Sequence, residues 1–355
     1  MKITADGFGI HTFMLSSRLP YDKFRQLKNL LCHSISDINK DEDNYYIKSR
    51  FFSDNNFKGL TAKLYMQHEF ARIEIIVNPT DFLEGEYTQS RIFHSRSACP
   101  DVCKKLNKAL RLIDMHLKDF VISRIDLCVN YIVESDVLKA YLNLCKRSYR
   151  SNYVSLTGFD NAEADEHSAA FAGNYYAIEL YDKEYEICKR NKIPFNRSYG
   201  NVLRIELRLE RQLIHNYIQS DHTYNHRKIL QYFLANAQDI MLQYAKRCFT
   251  SGNYVTLDKA RRITRSSDFK EKTIGRMLYV LESKRPIDSA LAELKQEHQL
   301  SDKALSRILA KFEKCGINTT LISVRMARKC GDELPSVPNL INNINPQLNI
   351  LYSAP

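Results

Sequence analysis

Three short segments share one pattern: RIEIIVN at 72–78, RIDLCVN at 124–130 and RIELRLE at 204–210. In each, apolar and polar residues alternate, which is the period of a half-buried strand and not of a helix. Ile73, Ile75 and Val77 share a face, as do Ile125, Leu127 and Val129, and Ile205, Leu207 and Leu209. An arginine and an acid two residues apart share the opposite face: Arg72 with Glu74, Arg124 with Asp126, Arg204 with Glu206. A chain that repeats this must fold around a sheet with one charged face. Taken one strand at a time, ion pairing on a solvated face accounts for the charges, at about 0.2–1 kcal/mol per pair.

The segments around these strands alternate in type. FGIHTFMLS (8–16) reads as a strand and YDKFRQLKNLLCHSI (21–35) as a helix with Phe24, Leu27 and Leu31 on one stripe. NYYIKSRFF, GLTAKLYMQ and ARIEIIVN follow as three strands between turn-rich stretches, the mark of an antiparallel meander. A second round opens with the helical stripe Val102, Leu106, Leu110, Ile113 and Leu117. It continues through the strand FVISRIDLCVNYIV and the capped helix 135–148, then HSAAFAG, NYYAIELYDKEYEI and NVLRIELRLERQ, all read as strands. This order predicts an α+β fold with a mainly antiparallel sheet and helices on one face, over 1–215. The two rounds read as diverged halves, 1–98 and 99–215.

Beyond about residue 210 the pattern becomes helical, and 216–332 reads as a basic helical region with Ser301 as an N-cap and Gly316 as a helix stop. Lys259, Arg261, Arg262, Arg265, Lys270, Lys272 and Arg276 fall on two short helices there, and SALAELKQEHQLSDKALSRILAKFEKCGI has helix-turn-helix spacing. Such a unit docks on duplex DNA, or forms a bundle with a solvated basic face. The tail, 333–355, reads as irregular.

NYYAIELYDKEYEI (174–187), read as a strand with Ile178 and Leu180 inward, turns Glu179, Tyr181 and Lys183 to the side of the acids, with Glu184 and Glu186 just beyond. A tyrosine, carboxylates and basic groups on one sheet face are the parts of a phosphoryl-transfer site. Carboxylates hold a hard divalent cation, which polarises a phosphate oxygen. Arginine and lysine offset the charge of the pentavalent state, and tyrosine attacks as a covalent nucleophile.

VISRIDLCVNYI, IELYDKEYE and VLRIELRLE resemble, in order and spacing, the R-x-D strand, Y-[DN]-K-x-x-E segment and R-x-E strand of a known group. These are the replication initiators of rolling-circle plasmids, relaxases of integrative elements, and replication proteins of filamentous phages. The resemblance covers about 120–215 and, more loosely, the N-terminal strands. It implies a palm-like antiparallel sheet and metal-dependent (Mg²⁺ or Mn²⁺) nicking of DNA at an origin through a 5′-phosphotyrosine. It implies Tyr181 as nucleophile, with Tyr185 the alternative, and Asp126, Glu206 and Glu186 as metal ligands. Lys183 would contact phosphate, and Arg124, Arg204 and Arg208 would lie along the DNA. The sequence departs from the pattern at Asn130, where an acid commonly stands, and HSAAFAGNYYA fits the usual glycine–serine hairpin only loosely. RIEIIVN reads as a structural echo of the motif.

Composition agrees with such a partner. The net charge is +11, tryptophan is absent, and 21 tyrosines and 17 phenylalanines offer surfaces on which unpaired bases stack. There is no Walker loop, G-x-S-x-G elbow or G-x-G-x-x-G, and no pair of histidines one residue apart, so a metal site would be carboxylate-based. His11 and His68 stand alone as ordinary core or surface residues. The nine cysteines read as reduced thiols, and CPDVC (99–103) as helix-start packing rather than half of a zinc site. A cytoplasmic protein is expected, since no apolar span or signal layout is present. Nicking needs an unpaired strand, so a host helicase or a supercoiled substrate is implied as partner. The competing reading is a non-catalytic DNA- or RNA-binding regulator on the same fold, although acids facing phosphate would repel it without a metal.

Overall fold

The computed structural model describes residues 4–40, 44–67, 70–85, 91–148, 155–157, 166–195, 201–218, 224–283 and 287–343. The strands are β1 (Thr4–Leu19), β2 (Ile35–Lys40), β3 (Asn44–Ser49), β4 (Leu60–Gln67), β5 (Phe70–Val77), β6 (Val121–Ile132), β7 (Ser155–Thr157), β8 (Ser168–Gly173), β9 (Tyr176–Asp182), β10 (Val202–Glu210), β11 (Tyr254–Val255) and β12 (Glu333–Leu334). The helices begin with α1 (Tyr21–Leu31), α2 (Phe51–Asp54), α3 (Pro79–Glu84), α4 (Cys99–Leu110), α5 (Ser135–Arg147), α6 (Lys183–Asn191) and α7 (Arg211–Ile218). They continue as α8 (His226–Ala235), α9 (Ala237–Cys248), α10 (Leu257–Arg265), α11 (Glu271–Glu282), α12 (Ile287–Glu297), α13 (Asp302–Lys314), α14 (Val324–Cys330) and α15 (Val337–Asn342).

The fold is α+β, with a large antiparallel sheet in the order β2-β3-β4-β5-β1-β6-β10-β9-β8-β7 and a helical C-terminal region. The chain divides into two compact units: residues 8–129 with 206–237, and residues 1–7 with 130–205 and 238–355. These units do not follow the boundaries read from sequence at 98 and 215. Among the described residues, no helix is long and apolar enough to cross a membrane. All nine cysteines are thiols, with no disulfide among them.

In the first unit, β3 to β5 form the expected three-stranded meander, β2 adds a fourth strand beside β3, and β5 pairs antiparallel with β1. Leu15, Ile47, Leu64, Ile73 and Ile75 of β1 and β3 to β5 are fully buried, whereas Ile35 and Ile38 of β2 are exposed. Phe24, Leu27 and Leu31 of α1 lie on one stripe and are buried too. Fully burying such a side chain contributes about 1.5–3 kcal/mol. Helix 21–35, as read from sequence, stops at Leu31 and gives way to a short 3₁₀ turn and β2. Ile35 and Ile38 keep the helical spacing, and β2 carries them with a bulge between Ile35 and Asp37. The meander closes through Gly59, whose φ of +80° favours glycine and whose carbonyl accepts the Asn78 amide at 2.8 Å. Asn78 in turn caps α3, accepting from the amides of Thr80 and Asp81.

In the second unit, β7, β8 and β9 pair antiparallel. The C-terminal helices close a core around Met277, Val280, Leu281, Leu294, Ile308 and Phe312. Ser301 caps α13 through Ala304, and Gly316, at φ +67°, follows its end. The tail is more ordered than its composition suggests: β12 pairs with β11, and Ser336 caps α15. Residues 344–355 of that tail lie outside the described residues.

Candidate functional site

The charged face is not solvated. Asp126 is 1% exposed, Glu206 5% and Glu74 6%. In the first unit Asp126 and Glu206 are neighbours in charge: burial pushes the Asp126 carboxyl above the usual range, and Glu206 adds to that push. Arg124, Arg208 and a hydrogen bond from the Thr12 hydroxyl oppose it. Arg124 Nη2 lies 3.0 Å from Asp126 Oδ2, and Arg208 Nε 3.5 Å from Oδ1. Glu206 Oε2 meets His11 Nδ1 at 2.8 Å. His11 and Thr12 were invisible as site residues in the sequence, because only the sheet order, with β1 beside β6, brings them to the acids.

Buried atoms of this cluster lack a hydrogen bond, one of them, Asp126 Oδ1, with the Arg208 guanidinium 3.5 Å away. Asp126 Oδ1 accepts no hydrogen bond and Arg124 Nε donates none, although both are buried. Each such group costs about 1–3 kcal/mol unless something meets it. Among the described residues no group of three or more His, Cys, Asp and Glu is arranged to hold a metal ion. The donors present fit a different arrangement. Mg²⁺ commonly takes one or two carboxylates and completes its shell with water and phosphate oxygens. A carboxylate oxygen without a hydrogen bond, in a cluster with Arg124 and Arg208, suits a cation with its phosphate.

The second unit holds the remaining expected residues. NYYAIELYDKEYEI is not one strand: β9 ends at Asp182, whose side chain accepts from the Tyr185 amide and starts α6. Helix dipole and cap together favour that switch, with Glu184 and Glu186 in the first turn. Tyr181 is therefore the penultimate strand residue, half-buried, opposite Ser168. Lys183 is the first helical residue, 1% exposed, with Nζ 5.7 Å from the centre of the Tyr181 ring. Burial lowers its pKa, Arg204 lowers it further, and Glu186 opposes both. Glu186, expected as a metal ligand, instead binds Lys183 Nζ at 2.7 Å and lies 3.8 Å from Arg190. Tyr185 is clamped: its ring stacks on His167 at 3.6 Å and meets Phe195 edge-on.

Arg204, expected along the DNA, is fully buried instead. Its Nε donates to Asn130 Oδ1 at 2.7 Å, and Asn130 Nδ2 donates to Asp6 Oδ2 at 2.7 Å. The amide at 130, where the resemblance leads one to expect an acid, thus relays a buried cation to a carboxylate on β1. No spacing in the sequence announces that link, since Asp6 is 124 residues away.

In the helical region the expected DNA contacts divide. Lys259 Nζ is held by Glu333 at 2.6 Å and Asp332 at 3.6 Å, and Arg261 by Glu282 at 2.8 Å. Arg276 is half-buried with its Nε unsatisfied. Arg262, Arg265, Lys270 and Lys272 are exposed, on or beside α10 and α11. No protein-family model and no curated protein matches the chain.

Proposed function

We propose that this protein nicks and rejoins one strand of DNA at a replication origin of a phage, plasmid or integrative element. The observation that carries the reading is the buried pair Asp126 and Glu206 with Arg124 and Arg208 on Asp126, where Asp126 Oδ1 and Arg124 Nε each lack a hydrogen bond. Arg124, Arg208, Thr12 and His11 offset part of the charge of the two buried carboxylates, and a divalent cation would offset their mutual repulsion further. A divalent cation bound to them would polarise a phosphate oxygen and stabilise the leaving group.

Tyr181 supplies the nucleophile. Its oxygen forms a bond to phosphorus while the P–O3′ bond breaks, leaving a 5′-phosphotyrosine and a 3′-hydroxyl that takes up a proton. Rejoining is the reverse transfer, so no outside energy source is needed. Lys183, beside the Tyr181 ring, favours the phenolate, and Arg124 and Arg208 flank the acid that faces phosphate. Glu186 is left to hold Lys183 rather than a cation.

The test is incubation of the protein with supercoiled origin-region DNA or a labelled single strand, with and without Mg²⁺ or Mn²⁺. A covalent adduct that depends on cation and disappears in Tyr181→Phe is expected. No adduct on any such substrate, with DNA binding intact, would leave the non-catalytic regulator in its place.

A further inference from the structure

The strand read as an echo of the motif builds something of its own. Arg18 of β1 lies directly opposite Arg72 of β5, Arg72 opposite Tyr65 of β4, and Tyr65 opposite Tyr46 of β3. One row of side chains therefore crosses four strands on one face. The Tyr46 and Tyr65 ring centres are 5.1 Å apart, and the Arg72 guanidinium sits 4.7 Å from the Tyr65 ring. Phe70, 68% exposed, stands beneath Arg18 at 6.0 Å. These residues line a cavity of about 370 Å³, within the size of a small-ligand cleft.

Like charges meet across strands on this face, and Glu74 offsets only part of them. Arg18 and Arg72 face each other directly, and in the next row Lys48 faces Lys63, although like charges placed opposite destabilise a sheet. Arg18 and Lys48 have no carboxylate partner among the described residues. The row is also held in shape from below. Buried Glu74 takes Arg72 Nε at 3.2 Å and interacts with the Tyr65 hydroxyl, whose pKa burial and that carboxylate push far up. Lys63 feels Arg124 and Arg208 as well as Glu74, so the basic face runs on toward the acid pair.

We infer that this tyrosine–arginine pocket binds an unpaired segment of DNA, stacking its bases on Tyr46, Tyr65 and Phe70 and its phosphates against Arg18, Arg72 and the lysine row. The inference deepens the nicking reading by giving the strand beside the nick a separate grip. Stacking on tyrosine tolerates any base, and basic residues follow the backbone, so the pocket holds single strands without reading sequence. Glu74 is a positioning residue: it aims a ring and a guanidinium and touches no DNA.

The experiment uses the whole chain and a short fluorescein-labelled oligothymidylate, with a duplex of equal length beside it and binding read by anisotropy. Tyr65→Ala and Tyr46→Ala should each weaken single-strand binding roughly tenfold, while Tyr65→Phe stays within about twofold because the ring remains. Arg18→Ala should lower the salt dependence by about one counterion. Ultraviolet cross-linking of the wild type should map to peptides carrying Tyr46 or Tyr65, a readout that does not depend on how well the alanine variants fold. Alanine variants that melt and bind like wild type, cross-links confined to other segments, or equal dependence for duplex would each overturn the pocket. A Tyr181-dependent adduct without these effects removes the pocket alone. Tyr46- and Tyr65-dependent binding with no adduct removes the nicking reading alone.

Discussion

Asp126 is held between opposing influences, and its substitution separates them. Burial and Glu206 favour the protonated carboxyl, so its folded pKa lies above the unfolded value. This contribution to stability is complete below the ordinary aspartate pKa and is lost as pH rises through the folded value, so at neutral pH Asp126 costs stability. Asp126→Asn should therefore raise the melting temperature in metal-free neutral buffer by a few degrees, on the order of 1 kcal/mol, while abolishing the adduct. Calorimetry with Mg²⁺ gives the complement. Wild type should gain up to about 2.7 kcal/mol at a hundredfold excess over the dissociation constant, and Asp126→Asn close to nothing. Arg204 poses the reverse problem. Asn130→Ala would remove the side-chain hydrogen bonds from Arg204 Nε and to Asp6 Oδ2, at a cost of about 1–3 kcal/mol readable by urea unfolding, while the amide of residue 130 still donates to Asp6. The paired acids were legible in the sequence because strand alternation places i and i+2 together. Their partners His11, Thr12 and Asp6 were not, because strand pairing across more than a hundred residues leaves no local mark.

Elements with one dominant period were legible and those with two competing signals were not. The 3.6-residue stripe of Phe24, Leu27 and Leu31 and the alternation of RIEIIVN gave a helix and a strand at the expected places. The region 216–332 was legible as helical, but the break at Asn236 between α8 and α9 was not, because apolar residues continue on both sides of it. IELYDKEYE alternates only as far as Tyr181, and the capping chemistry of Asp182 ends the strand there. The same local chemistry governs the wing of the helical region. Lys259 holds Glu333 below the usual glutamate range and is itself raised by it. The Glu333 contribution is present above the ordinary glutamate pKa and fades as pH falls through the depressed value. That of Lys259 is present below the ordinary lysine pKa and fades as pH rises through the raised one. Both side chains are partly solvent-exposed, so Glu333→Gln should cost less than about 1 kcal/mol at neutral pH, and the difference from wild type should vanish in acid.

For the whole molecule, a net charge of +11 sets the strength of its association with any polyanion, and the four exposed cations on and beside α10 and α11 are its clearest outlet. Replacing Arg262, Arg265, Lys270 and Lys272 with alanine should flatten the dependence of duplex affinity on salt, by roughly 0.9 for every phosphate these side chains neutralise. Titrations at several salt concentrations would read this, and an unchanged slope would move the duplex-binding surface elsewhere. The partition of the chain carries a consequence for how it is made. Each compact unit is assembled from stretches far apart in sequence, residues 8–129 waiting for 206–237 and residues 1–7 and 130–205 for 238–355. Neither unit can close while the ribosome is still synthesising the middle of the chain, so early strands such as β1 and β5 emerge long before their completing segments. Nascent chains stalled before residue 206 should stay protease-sensitive throughout and lean on holding chaperones. Protection should arrive in two steps, the first after residue 237 and the second once the helices beyond it have left the ribosome.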